Sequence, residues 1–196
     1  MGIIREYILN IAFCSIIGAS LAGIYCFFIY KKTKKNRGFI SIILFVAYLF
    51  ALLSVTVFPR MEVGILSDTG RPYVDFYFNA DTKSTINLIP FNSILTYIKD
   101  LFSASADAKV VSRINLAGNI ILFIPMGVFL HLWFRGIKNF WKIVLSSIGF
   151  STLIEIIQFV IGRSPDIDDL ILNLFGTLIG FLLSCAFMRK SQKDIV

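Results

Sequence analysis

The stretch 143–188 reads IVLSSIGFSTLIEIIQFVIG (143–162), RSPDIDD (163–169) and LILNLFGTLIGFLLSCAFM (170–188). The two outer pieces are long, nearly unbroken apolar runs. A helix rises 1.5 Å per residue, so about 20 such residues cross the hydrocarbon core of a bilayer. The apolar residues fill each run instead of keeping to one stripe, which suits lipid on most sides. The middle piece is a short polar turn, and its Ser164-Pro165 pair is a helix-start signal. These residues predict two membrane-crossing helices back to back.

Three more runs of this kind stand at 7–30, 39–58 and 114–134. The expected fold is therefore all-α: a polytopic bundle of about five transmembrane helices. Composition agrees, with 57% apolar and 16% charged residues, where soluble domains carry nearer a quarter charged. Mean hydropathy is +0.79. The first run stops at a basic block, as an anchor does, so a retained helix is expected there, not a cleaved leader. The natural divisions are 1–38 (first helix and basic loop), 39–188 (main membrane domain) and 189–196 (basic tail).

Charge orders the segments. The loops 31–37 and 135–142 and the tail 189–196 hold eleven basic residues and one acid. They alternate across five spans, so they share a side. The positive-inside rule makes that side cytoplasmic, with the N-terminus outside. The net charge of +7 is then a topology signal. Nucleic-acid binders gather their charge on a soluble face, so no nucleic-acid partner is expected. The other side holds ten of the twelve acids. Cys14, Cys26 and Cys185 are odd in number and lie within apolar runs. Small buried hydrophobes are expected there, with no disulfide framework or metal cluster.

The external segment 59–113 is mixed in charge. Arg71–Phe78 is aromatic and β-prone, turn residues Asn79-Ala80-Asp81 follow, and Ile86–Pro90 is a second apolar piece. Together they suggest a small hairpin. Ile94, Leu95, Ile98, Leu101 and Phe102 have helical spacing, which predicts a short helix in the outer interface.

Polar residues inside the spans are the functional candidates. Glu155 is the one carboxylate within a run, roughly 12 Å below the outer end by helix rise. Ser151, Glu155 and Gln158 share a helix face, as do Asn115 and Asn119. Asp169, Asn173, Gly176 and Gly180 form a third stripe. If the three stripes face one another they make an outward-opening polar pocket, with Arg163, Asp166 and Asp168 at its turn. Other roles compete for the same residues. Gly176-x-x-x-Gly180 is expected to pack helices, and Asn, Ser and Gln often bond them together. The aspartates stand where caps belong, and Glu155 has the alternative of structural ion pairing. His131 reads as a satisfied interfacial histidine. Pro125 marks a kink near Gly127.

Five pieces, in order, resemble the VanZ-like family of teicoplanin-resistance-associated membrane proteins. They are Arg60 after Phe58-Pro59; Asn87-Leu88-Ile89-Pro90-Phe91; Asn115-x-x-Gly118-Asn119 running on to Pro125-x-Gly127; Ser151-x-x-x-Glu155-x-x-Gln158; and Arg163-x-x-Asp166-Ile167-Asp168-Asp169 running on to Asn173-x-x-Gly176. The resemblance covers most of the chain from the second helix onward and adds Arg60 and Asn87 to the pocket candidates. It implies a Gram-positive envelope protein that lowers susceptibility to teicoplanin-type glycopeptides. No reaction comes with it.

The favoured expectation is a non-enzymatic protein whose partners are the bilayer and an envelope lipid or cell-wall precursor headgroup, with no cofactor and no resident metal. The alternative is an intramembrane enzyme using Glu155 as general acid or base, with the aspartate turn holding Mg²⁺ or Ca²⁺. A small transporter ranks last, since neither paired repeats nor a nucleotide motif are present. Oligomeric state is not legible.

Overall fold

In the computed structural model the described residues are 2–36, 38–65, 70–77, 86–103, 105–134 and 140–193. The chain is a polytopic helix bundle. In chain order its elements are α1 (Gly2–Thr33), α2 (Phe39–Thr56), β1 (Arg60–Ile65), β2 (Pro72–Tyr77), α3 (Asn92–Leu101), α4 (Ala106–Phe134), α5 (Phe140–Val160) and α6 (Ile167–Lys193). Five helices, all but α3, are long and apolar enough to cross a membrane. Their outward residues are large and apolar. Ile121, Leu145, Phe159, Phe175 and Phe187 are all at least half exposed, which in water would be a standing aggregation surface and in a bilayer is the solvated one.

The contacts divide the chain into two compact units, 1–82 with 161–163, and 83–160 with 164–196. In the first, α1 and α2 pair. Asn10 Nδ2 donates to the carbonyl of Ser54 at 3.3 Å, and Phe50 lies over Gly18 so closely that a Cβ there would sit 2.8 Å from the ring. Between α1 and α2, Lys34 and Gly38 are both at positive φ; glycine adopts that conformation at little cost.

The hairpin differs from the expectation. β2 does form within Arg71–Phe78, but its antiparallel partner is Arg60–Ile65, with Val63 opposite Val74. The charged Arg60 and Glu62 hide the alternation of Met61, Val63 and Ile65 when the strand is read alone. Ile86–Pro90 makes no strand. Asn87 instead bridges Asp166 in parallel register.

The second unit is built on α4 against α6. A Cβ on Gly176 would lie 2.1 Å from the Ile120 carbonyl oxygen, one on Gly180 1.9 Å from that of Ile124, and one on Gly127 1.9 Å from that of Thr177. Only glycine lets the two backbones touch, so packing is the role of Gly176 and Gly180. Phe123, Met126 and Leu130 of α4 and Leu172 and Phe181 of α6 are buried around this seam. Pro125 lies inside α4 and withholds the N–H that the Ile121 carbonyl would otherwise accept. α4 begins at Ala106, two turns before the expected 114, because its first turns pack beneath α3. Ser112, 1% exposed, donates to Asp100 at 3.4 Å.

Candidate functional site

The site lies where α5 ends, α6 begins and the segment 86–101 lies alongside. α6 starts after Pro165, and Asp166 is its N-cap. Its Oδ1 accepts the Asp168 N–H at 2.9 Å, as a capping carboxylate does. That oxygen also accepts from Asn87 Nδ2 at 2.9 Å, and Oδ2 takes the Ser93 hydroxyl. Two backbone bonds clamp the neighbouring segments. Asn87 N–H donates to the Pro165 carbonyl and Ile167 N–H to the Asn87 carbonyl, both at 3.0 Å.

Asp168 is fully buried and caps another helix. α3 begins after Phe91, which is in the left-handed region and supplies no side-chain cap. Asp168 replaces the missing cap across 75 residues of sequence. Its Oδ1 accepts the Phe91 N–H at 2.5 Å, and its Oδ2 accepts those of Ser93 at 2.7 Å and Ile94 at 3.1 Å. The orphan donors of a helix start thus meet one charge, which also suits the helix dipole.

Glu155 reaches the same turn from α5. It is 7% exposed, and its Oε2 accepts the Asp166 N–H at 3.0 Å. Beside it is a groove of about 280 Å³. Thr152, Glu155, Ile156 and Phe159 form one wall. Ile167 and Leu170 of α6 form another, and Asn87, Leu88, Pro165 and Asp166 close the rim. The exposed lining of the groove is almost wholly apolar; Glu155, Asp166 and Asn87 are among its lining residues, with their polar atoms bonded to one another.

Two further polar groups flank this center. Asn119 Nδ2 donates to Asp169 Oδ1 at 2.6 Å, and Asn115 hydrogen-bonds the Tyr97 hydroxyl. Burial holds the Tyr97 phenol above its ordinary value, and the nearby charges of Asp169, Asp166 and Asp168 push the same way; the bond to Asn115 opposes them. Deeper between α5 and α6, Asn173 Nδ2 donates to Ser151 Oγ at 2.7 Å, and one turn on Ser147 meets Thr177 at 2.8 Å. The Asn173 Oδ1 is buried without a partner.

The candidates therefore separate. Asn87, Glu155 and Asp166 line the groove. Asp168 holds α3. Asn119 with Asp169, Asn115 with Tyr97, and Ser151 with Asn173 tie helices together. Gln158 is buried on the α5 face it shares with Glu155. Arg163 donates from Nη1 to the Thr56 carbonyl at 2.7 Å and belongs with α2 in the first unit. The side chain of Arg60 lies outside the described residues. Among those residues no three His, Cys, Asp or Glu side chains gather in a way that would hold a metal. His131 does have a partner, the Cys185 thiol at 3.3 Å, so that cysteine is a hydrogen-bonding group and not merely a small hydrophobe.

Sequence reasoning passed over Ser93, Tyr97, Thr152, Ile156, Ser147 and Thr177. A signal existed for four of them. Ser147 extends the Ser151–Glu155 stripe by one turn, Thr177 extends Asn173 by one, and Thr152 and Ile156 are one turn apart beside Glu155. Ser93 and Tyr97 carry no such mark.

The VanZ/LLP1 family model matches residues 45–188. This chain belongs to the VanZ/LLP1 family. The match runs from within α2 to the last turns of α6 and contains every residue of the Glu155 groove, so the groove is part of the VanZ/LLP1 region. α1 and the loop after it precede the match. Neither a curated protein nor a solved structure matches the chain.

Proposed function

We propose that this VanZ/LLP1 protein holds an envelope lipid or cell-wall precursor in the Glu155 groove and thereby lowers susceptibility to teicoplanin-type glycopeptides in a Gram-positive cell membrane. The observation that carries the reading is an apolar groove whose lining residues include Glu155, Asp166 and Asn87. A single hydrocarbon chain suits the groove, with its headgroup beyond it at the part-exposed Asn87 and Asp166. About 280 Å³ lies just below the range of ligand sites, roughly 300–1,000 Å³, so a chain fits and a whole glycopeptide does not. The distribution of Lys and Arg supports an orientation with the N-terminus outside and the C-terminus in the cytoplasm, which puts the groove at the outer leaflet, where such precursors are displayed.

The test is the teicoplanin threshold of a susceptible Gram-positive host expressing the protein. Wild type should raise it more than the vancomycin threshold. Ile156→Trp fills the groove from α5, and Glu155→Gln keeps the shape of the side chain while removing its charge. Both should return the threshold to that of the host with the melting temperature in detergent unchanged. Wild-type tolerance in both variants, with the protein verified in the membrane, would sink the reading.

A second reading is favoured by the placement of Glu155 in the groove wall, its Oε2 steadied by a backbone N–H. A carboxylate so positioned suits general acid–base work on a bound lipid headgroup. Purified protein that converts an envelope lipid, with conversion lost in Glu155→Gln, would select the enzyme; retention of an unaltered lipid would select the binder.

A further inference from the structure

A second groove, of about 340 Å³, lies in the α1–α2 unit. Gly23, Cys26, Phe27 and Tyr30 of α1 face Phe39 and Ile43 of α2 across it. Gly23, with no side chain, leaves room in it. At Gly18 the Phe50 ring is 2.8 Å from where a Cβ would be, whereas at Gly23 nothing lies within 4 Å. Ala22 and Cys26 stay buried beyond Gly18, and the groove runs beside them at Gly23. The floor is apolar, with Cys26 buried and Phe27 exposed along the edge. Asn36 also lines it, and a cationic segment adjoins it. The loop 31–37 carries five basic residues and no acid; Lys31, Lys32, Lys34 and Lys35 are exposed, and the Lys34 Nζ stands 5.7 Å above the Tyr30 ring. Every residue lining this groove precedes residue 45, where the family match begins.

We infer that this groove binds an anionic phospholipid, one acyl chain lying over Gly23 between α1 and α2 and the phosphate held by the lysines of the 31–37 loop. Charge complementarity commits the site to that occupant. A zwitterionic lipid offers the same chain without a net charge for those lysines. Basic clusters directly flanking a membrane helix attract anionic headgroups, and they do so within a Debye length. An apolar slot under such a cluster adds a seat for the tail, which turns diffuse attraction into one site. The inference is independent of the Glu155 groove and of the proposed resistance function.

The test uses the purified full-length protein in detergent, titrated with phosphatidylglycerol or with phosphatidylcholine of the same acyl chains, and read by native mass spectrometry. Wild type should retain one phosphatidylglycerol and release phosphatidylcholine. Lys31→Gln with Lys34→Gln should weaken retention roughly thirtyfold, while leaving basic residues to keep the orientation. Gly23→Leu fills the slot. Since nothing lies near a Cβ there, the melting temperature should stay at the wild-type value while phosphatidylglycerol is lost. If Gly23→Leu lowers the melting temperature, Ile43→Trp fills the slot from α2 and is judged by the same criterion. Equal retention of the two lipids, or wild-type affinity in the folded slot-filled variant, overturns the inference. The second result would reduce the loop to a plain basic surface. A co-purifying protein helix in the slot, displaced by no lipid, overturns it as well.

Discussion

Gly180→Ala tests the seam on which the second unit rests. The added Cβ would lie 1.9 Å from the Ile124 carbonyl oxygen, 2.8 Å from its carbon and 3.2 Å from its Cα. All three are backbone atoms, so no rotamer change relieves them. Ordinary contact begins near 3.4 Å, so α4 and α6 must part by roughly 1.5 Å at this turn. A gap of about 0.5–1 Å already forfeits a quarter to a half of each contact. Two effects oppose one another. Alanine in a helix is favoured over glycine by about 1 kcal/mol, and overpacking costs about 1–3 kcal/mol. With a rigid obstacle the upper end applies, so the net expectation is about 2 kcal/mol of destabilisation. Gly149→Ala in α5 is the control. Nothing lies within 4 Å of its Cβ, and it should be neutral or slightly stabilising. The assay is equilibrium unfolding in mixed micelles, followed by tryptophan fluorescence and helical circular dichroism. Equal stability of Gly180→Ala and Gly149→Ala would falsify the close-contact account of the α4–α6 seam.

Other perturbations address the site and the topology. Asp168→Ala leaves the N–H groups of Phe91, Ser93 and Ile94 without their acceptor, and should cost about 2–3 kcal/mol; hydrogen exchange should accelerate across α3 while α4 and α6 stay protected. Tyr97 has a folded-state pKa above its ordinary 10.0. Its contribution to stability is therefore complete below about pH 10 and is lost as pH rises through the folded value. Absorbance titration should show one late-ionising phenol that disappears in Tyr97→Phe; a wild-type curve in that variant would refute the assignment. Single cysteines placed in the 31–37 loop should resist membrane-impermeant thiol reagents in intact cells, whereas one at Asp81 should react. The reverse pattern would invert the proposed orientation.

The number and rough limits of the spans were legible in the sequence because burial in lipid is a one-dimensional property. A run of about 20 apolar residues satisfies its own backbone and meets hydrocarbon wherever it is placed. The same holds for α3, whose apolar spacing is contained within its ten residues. The packing role of Gly176 and Gly180 was also readable, since a four-residue step on one face is local. What pairs with what was not local. The strand partner of Pro72–Tyr77 lies upstream of it, and Asn87 joins Asp166 across 79 residues. The aspartates show the limit best. Their position at a helix start announced capping, and Asp166 does cap its own helix. That Asp168 caps α3 instead followed from a requirement elsewhere: Phe91 begins that helix with no side chain able to accept its N–H groups. Likewise Glu155 was visible as the carboxylate of the fourth span. Only the folded turn of α6 brought a backbone N–H to its Oε2 and set Ile156, Phe159 and Leu170 around the space beside it. A carboxylate and an apolar run are properties of residues; a groove between helices exists only after those helices have packed.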